Sequence, residues 1–134
     1  MARKRIRVLL ADDSVILRRC VAEFLEKCPD IEIAGEACNG KVAVELTKQL
    51  VPDVVVMDIG MPEMNGIEAT RAIRNSIPKV KVVGLSINDD TDCRKAMRQA
   101  GAAAFVSKLK FSSVLIPAIR ACCLTMHNEV DFAQ

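Results

Sequence analysis

The sequence holds a single histidine, His127, and none of its six cysteines forms a CxxC pair. Zinc centres are assembled from Cys and His at short spacings, so a Cys/His metal site is poorly supported. Cys20, Cys93 and Cys122 fall on apolar helical stripes, where a thiol acts as a small hydrophobe. Reduced core thiols are the expectation there. No apolar run approaches the ~20 residues that span a bilayer. The opening "MARKRIRVLLADDSVIL" is basic, but two Asp interrupt its apolar run at once, so it does not read as a secretory leader. A cytoplasmic chain that does not enter a membrane is expected. The formal charge of +2 is too small to mark a nucleic-acid surface. Arg3, Lys4, Arg5 and Arg7 read as a solvated N-terminal end rather than a phosphate-binding arm. Repeats, low-complexity tracts and linkers are also missing.

What is present is a regular alternation. At 134 residues, 51% of them hydrophobic, the chain suits one domain with a substantial core. Its expected extent is the whole of 1–134, with a core over about 6–124 and a short tail over 125–134. Four short runs, "IRVLLA" (6–11), "DVVVMD" (53–58), "KVVGLS" (81–86) and "AAFVSK" (103–108), are continuously hydrophobic, as strands covered on both faces should be. A fifth, "IEIAGEA" (31–37), is more polar and suits a sheet edge.

Helical spacing lies between the strands. Leu17, Cys20, Val21, Phe24, Leu25 and Cys28 make one stripe, ended by Pro29. Asn39 caps a second helix carrying Val42, Ala43, Leu46 and Leu50 and stopped before Pro52. Ile67, Thr70 and Ile73 follow Gly66. Cys93, Ala96, Met97 and Ala100 precede Gly101, a suitable C′ residue. Leu115, Ala118, Ile119 and Cys122 make the last stripe. The pattern is (βα)₅, an α/β doubly wound parallel sheet with right-handed crossovers. Strand order 2-1-3-4-5 fits five strands with the polar second strand at an edge.

In that order the first and third strands are neighbours at the point where the winding reverses, and ligands bind at the carboxyl ends of strands there. The first strand ends in Asp12-Asp13 and the third in Asp58. The fourth and fifth end in Ser86 and Lys108. Acids this close repel one another, and a hard divalent cation with oxygen ligands relieves the repulsion. Asp12, Asp13, Asp58 and a backbone carbonyl just past Asp58 suit Mg²⁺. A lysine and a hydroxyl opposite would hold phosphoryl oxygens, and an Asp can itself be the nucleophile that becomes an aspartyl-phosphate. Each piece has an ordinary alternative: Asp12, Asp13 or Ser14 as a helix cap, Ser86 as a strand-end residue, Lys108 as a solvated one.

The strings "LLADDS", "VVVMDIGMPEMNGIEATRAIR", "VVGLS" and "AGAAAFVSK" resemble the receiver domain of two-component response regulators, over about Ile6 to Cys122. "MPEMNGIEATRAIR" and "LSINDD" are most similar to LuxR-type receivers, which precede a helix-turn-helix output domain. The resemblance implies a flavodoxin-like fold and a phosphorylation switch. It matches Asp58 to the phosphoacceptor, Asp12 and Asp13 to the acidic pair that places Mg²⁺, and Gly60 to the position whose carbonyl is a metal ligand. Ser86 matches the switch hydroxyl, Lys108 the phosphoryl-binding lysine and Phe105 the switch aromatic. The implied partner is a sensor histidine kinase or phosphotransfer protein. DNA would be reached only through an output domain absent from this chain.

Such a module assists its own phosphorylation and dephosphorylation and is not a turnover enzyme. A stand-alone relay receiver and a phosphorylation-independent interaction module are the alternatives. An aspartyl-phosphate hydrolase is less favoured, because Gly60 stands where such enzymes carry a second acid. Three residues depart from the common pattern. Leu109 follows Lys108 where many receivers have Pro, and with it a cis peptide bond. Ile87 is bulky beside Ser86. Pro117 interrupts the last stripe, so that helix either starts near Val114 or is kinked. Ile116 and Cys123 lie off that stripe and read either as a second apolar face, a surface for a partner or a homodimer, or as scattered surface apolar residues.

Overall fold

The computed structural model describes residues 4–87 and 91–132, with side chains through residue 124. Asn88, Asp89 and Asp90, the end of the "LSINDD" string, lie outside the described residues.

Five strands alternate with five helices. They are β1 (Ile6–Ala11), α1 (Val15–Glu26), β2 (Ile31–Ala37), α2 (Gly40–Leu50), β3 (Val54–Asp58), α3 (Gly66–Ser76), β4 (Lys81–Ser86), α4 (Thr91–Ala100), β5 (Ala104–Ser107) and α5 (Phe111–Phe132), with a 3₁₀ turn over Lys108–Lys110. The sheet order is β2-β1-β3-β4-β5 and all four pairings are parallel. This is the (βα)₅ doubly wound architecture the sequence pattern implied.

The continuous apolar runs follow from strand geometry. Successive side chains point to opposite faces, and helices cover both. Val8, Leu10, Val54, Val56, Val83 and Leu85 join Val21, Leu25, Leu115 and Ile119 in one core layer, under α1 and α5. Leu9, Ala11, Val55, Met57 and Val82 join Ala43, Ala69, Ile73 and Met97 in the other, under α2, α3 and α4.

Caps set the helix ends. Ser14 Oγ accepts from the Leu17 N–H, Asn39 Oδ1 from the Val42 N–H, and Asn65 forms a reciprocal capping box with Glu68. Gly101, with φ +108°, ends α4 as expected. Helix α2 closes on Val51 at φ 44° and ψ 64°, a left-handed conformation seldom taken by a β-branched residue. Its terminal carbonyls are met by Arg7, whose guanidinium donates to Leu50 O (2.7 Å) and Val51 O (3.1 Å). The N-terminal basic residues are thus partly engaged, since Arg5 and Arg7 also lie near Glu32.

Several expectations are corrected. Cys20 is exposed, because its position on α1 turns away from the sheet; Cys122 is buried and Cys93 half-buried. Leu17 is also turned outward, at 37% exposure. Helix α5 begins at Phe111, not near Val114, and carries Pro117 within it on its exposed side. It runs on to Phe132, so most of the expected tail over 125–134 continues the helix. Ile116 and Cys123 pack against the α1/α5 core layer and do not form a second free face. No cis peptide bond occurs among the described residues, so Leu109 follows Lys108 through a trans bond.

Candidate functional site

The carboxyl edge of the sheet collects the acids because β1 and β3 are hydrogen-bonded neighbours that stop together: Ala11 pairs with Met57, and Asp12 and Asp58 come next. Asp12 and Asp58 are 4% and 5% exposed, which is rare for acids and demands partners. Asp13 is exposed beside them.

Asp12 is held on every side. Its N–H donates to the Ala37 carbonyl (3.0 Å), its Oδ1 accepts from the Ser14 N–H (2.9 Å), and its Oδ2 lies 3.1 Å from Lys108 Nζ. The cap of α1 is therefore Ser14, braced by Asp12, while the second carboxylate oxygen of Asp12 remains with the site. Asp58 Oδ1 lies 3.1 Å from Lys108 Nζ and accepts a long bond from the Gly60 N–H (3.4 Å). Lys108 reaches both acids from the start of the 3₁₀ turn, whose first residues are fixed by Ser107 Oγ accepting from the Leu109 N–H. At Gly66 a β-carbon would stand 2.2 Å from the Asp58 carbonyl, so only glycine lets α3 begin so close to the end of β3.

The electrostatics follow from burial. Desolvation, then the neighbouring Asp12 charge, holds the Asp58 carboxyl above its ordinary pKa, against the opposing pull of Lys108 and the Gly60 N–H. Burial disfavours the Lys108 ammonium, but Asp58 and Asp12 outweigh it and its pKa rises. One lysine thus faces two buried carboxylates, with the exposed Asp13 beside them.

Oxygens of Asp12, Asp13 and Asp58 all lie within 4.8 Å of one another. Three carboxylates, two of them buried, and one ammonium make a donor set that fits a hard divalent cation: oxygen ligands only, with charge in excess. The cleft above them has a volume of about 320 Å³ and is also lined by Gly60, Ser86 and Lys108. Every residue assigned to the cation and phosphoryl group from sequence borders it. Ser86 is buried at its edge, with 6% exposure.

Phe105 is not at the cleft. It is half-buried on β5, with the Arg94 guanidinium 4.8 Å over its ring. Gly84 leaves the space it packs into, since a β-carbon there would be 3.4 Å from the Phe105 ring and 2.7 Å from Met97 Cε.

Ile87, the bulky neighbour of Ser86, forms an apolar wall of the cleft, as does Leu17. Arg18 donates to the Asp12 carbonyl at 2.7 Å. The roles of Leu17 and Arg18 escaped the sequence reading, because helical spacing marks the face toward the sheet and not the direction toward a strand end.

A doubly wound α/β domain with an acidic, lysine-bridged cleft at its switch point is the class these features define. The model of the response regulator receiver domain matches residues 8–120, and the chain belongs to that family. It is 41% identical over 116 residues to the transcriptional regulatory protein LiaR of Bacillus subtilis (strain 168), covering 87% of this chain and 55% of LiaR. It is 52% identical over 81 residues to a protein-glutamate methylesterase/protein-glutamine glutaminase of Nocardioides sp. (strain ATCC BAA-499 / JS614), covering 60% of this chain and 22% of that protein. A two-component response regulator of the LuxR family from Aurantimonas sp. SI85-9A1 superposes with a TM-score of 0.84 at 30% identity, over 88% of this chain and 84% of that one. The chain spans between about a fifth and just over half the length of the curated relatives it matches. Among the described residues no helix is long and apolar enough to cross a membrane.

Proposed function

We propose that the chain is a phosphorylation switch in which Asp58 accepts a phosphoryl group. The observation that carries this reading is the position of Lys108 Nζ, 3.1 Å from both buried acids at the mouth of the cleft. Among the described residues both contacts to the Asp58 carboxylate fall on Oδ1, so Oδ2 is the oxygen assigned to attack phosphorus. A bond forms from Oδ2 to phosphorus while the bond from phosphorus to the donor breaks; for a phosphohistidine donor the imidazole nitrogen leaves and takes up a proton. Asp12, Asp13, the Asp58 carboxylate and the Gly60 carbonyl would hold Mg²⁺, which when bound supplies positive charge to the phosphoryl oxygens.

The chain's own groups do the rest. Lys108 neutralises charge on a phosphoryl oxygen, and the Ser86 hydroxyl is placed at the cleft edge to donate to another. The added charge, near −2, asks for hydrogen bonds that the free carboxylate does not. Drawing Ser86 inward would bias the segment after β4 and the α4-β5 face that carries Phe105 and Arg94. Phe105 has no hydroxyl, so its part in the switch is packing.

The partner this chemistry asks for is a protein carrying a phosphohistidine, a sensor kinase or a phosphotransfer protein. Regulation of transcription is the output we favour, given the similarity to LiaR, with DNA contacted by a separate domain. The chain acts as a receiver and not as a turnover enzyme, and a cytoplasmic location suits such a partner.

The test is incubation with acetyl phosphate, with and without Mg²⁺, followed by intact-mass measurement of the wild type and Asp58→Asn. One added phosphoryl group that requires Mg²⁺ and is lost in the variant supports the reading. No uptake, either from acetyl phosphate or from a phosphorylated histidine kinase, would sink it.

A further inference from the structure

Arg18 is a tightly constrained cation outside the cleft. It sits in the first turn of α1, where its backbone N–H donates to the Ser14 carbonyl (2.9 Å), and its side chain is only 13% exposed. The guanidinium is a fork with fixed directions. Nη1 donates to the main-chain carbonyl of Asp12 at 2.7 Å, and Nε donates to Glu36 Oε1 at 2.9 Å. Glu36 is itself anchored: it lies on β2 opposite Leu10 of β1, and its other oxygen accepts from Arg19. A planar fork held at both ends cannot swing, and neither can the carbonyl it grips.

That carbonyl belongs to the peptide group joining Asp12 to Asp13. We infer that Arg18 is a positioning residue for the acidic pair: by gripping the Asp12 carbonyl it fixes the peptide plane that carries Asp13, and thereby sets the affinity of the cleft for a divalent cation. This inference rests on the cation site proposed above. Asp12 has other restraints, through the Ala37 carbonyl, the Ser14 N–H and Lys108. The exposed Asp13 side chain has no hydrogen bond or ion pair among the described contacts, and Arg18 grips the peptide from which it projects. Groups behind metal ligands govern affinity by orienting them, and their loss weakens binding by about 10–100-fold.

A charge argument runs the other way, which makes the inference testable. Deleting a cation bound to the Asp12 main chain should tighten cation binding if Arg18 acts only through its field. The experiment is titration with Mn²⁺, an oxygen-preferring stand-in for Mg²⁺, read by the electron paramagnetic resonance of the free ion. It compares wild type, Arg18→Met, Arg18→Lys and Glu36→Gln, each well below its thermal midpoint. Positioning predicts a dissociation constant about tenfold higher for Arg18→Met. Arg18→Lys, which keeps the charge but not the fork, should recover only part of the loss. An unchanged or lower constant in Arg18→Met, or full recovery in Arg18→Lys, overturns the inference. Should Arg18→Met not fold, Glu36→Gln decides: it leaves the guanidinium without its charged anchor and should weaken binding several-fold, and no change there overturns it. Failure of the wild type to bind Mn²⁺ at all would instead sink the cation site itself, and that result needs no variant.

Discussion

Lys108 Nζ stands 3.1 Å from Asp12 Oδ2 and 3.1 Å from Asp58 Oδ1, so one ammonium ties the end of β1 to the end of β3 from a turn that follows β5. It is the only positive group in contact with these two carboxylate groups among the described residues. Removing it leaves two buried carboxylates facing each other, and removing Asp58 relieves the same repulsion. In chelated buffer at pH 7, Lys108→Met should lose about 1–3 kcal/mol of unfolding free energy, below the full cost of breaking a buried pair because the cleft is open to water. Asp58→Asn should gain stability under the same conditions. Mg²⁺ should narrow the gap between Lys108→Met and wild type. Urea unfolding with and without Mg²⁺ checks all three, and a Lys108→Met protein as stable as wild type in chelator would contradict them.

Ile87 is 61% exposed and forms a wall of the cleft next to Ser86. A branched side chain there narrows the approach of water to a phosphoryl group on Asp58. Ile87→Ala should shorten the lifetime of the phosphorylated state several-fold while leaving the thermal midpoint nearly unchanged. Loss of the added mass over time after removal of the donor measures it, and an unaltered lifetime counts against the role of Ile87.

Val51 closes α2 at φ 44°. A left-handed residue with a β-carbon costs roughly 1–2 kcal/mol, and Asn tolerates the conformation far better than a β-branched residue. Val51 is 36% exposed, and Asn is close to it in volume, so most of its packing is kept on replacement. Val51→Asn should raise stability by about 1 kcal/mol, or ~3 °C in thermal midpoint. Circular dichroism melting is sufficient, and a lowered midpoint would show that Val51 contributes more by packing than it costs in strain.

The cysteines divide by environment. Cys20 and Cys38 are exposed, while Cys122 is buried and Cys123 half-buried. Burial, and after it the nearby Asp53, pushes the Cys123 thiol up to about 11. Since the thiolate is the nucleophile, about one Cys123 in a thousand is reactive at pH 8 even when reached. Alkylation at pH 8 followed by peptide mapping should label Cys20 and Cys38 first. Cys123 should follow with a rate that climbs tenfold per pH unit up to about pH 10, as long as the fold persists. Early labelling of Cys123 would mean that α5 opens locally.

Much of this protein is legible in one dimension. The strands could be found because a sheet covered on both faces needs uninterrupted apolar runs, and the ends of those runs mark where Asp12, Asp58, Ser86 and Lys108 emerge. Winding rules then bring the ends together without reference to any single contact. Helix caps at Ser14 and Asn39 were equally local, because a cap is made by a side chain and the backbone three residues on. Residues on helices were read less well. Cys20 and Leu17 share the helical stripe of Val21 and Leu25, yet one turns to solvent and the other to the cleft, since a stripe's period does not say where along the helix the sheet ends.

What only the tertiary structure decided is pairing. That Lys108 meets both Asp12 and Asp58, that Arg18 grips the Asp12 carbonyl while Glu36 anchors it, and that Arg7 answers the open carbonyls of α2 depend on side chains from different elements meeting within about 3 Å. The sequence by itself determined the order of the strands and the kind of group at each end, because hydrophobic periodicity and turn chemistry act within a few residues. The distances between those groups arise from how four crossovers and the last helix pack, and no local pattern encodes them.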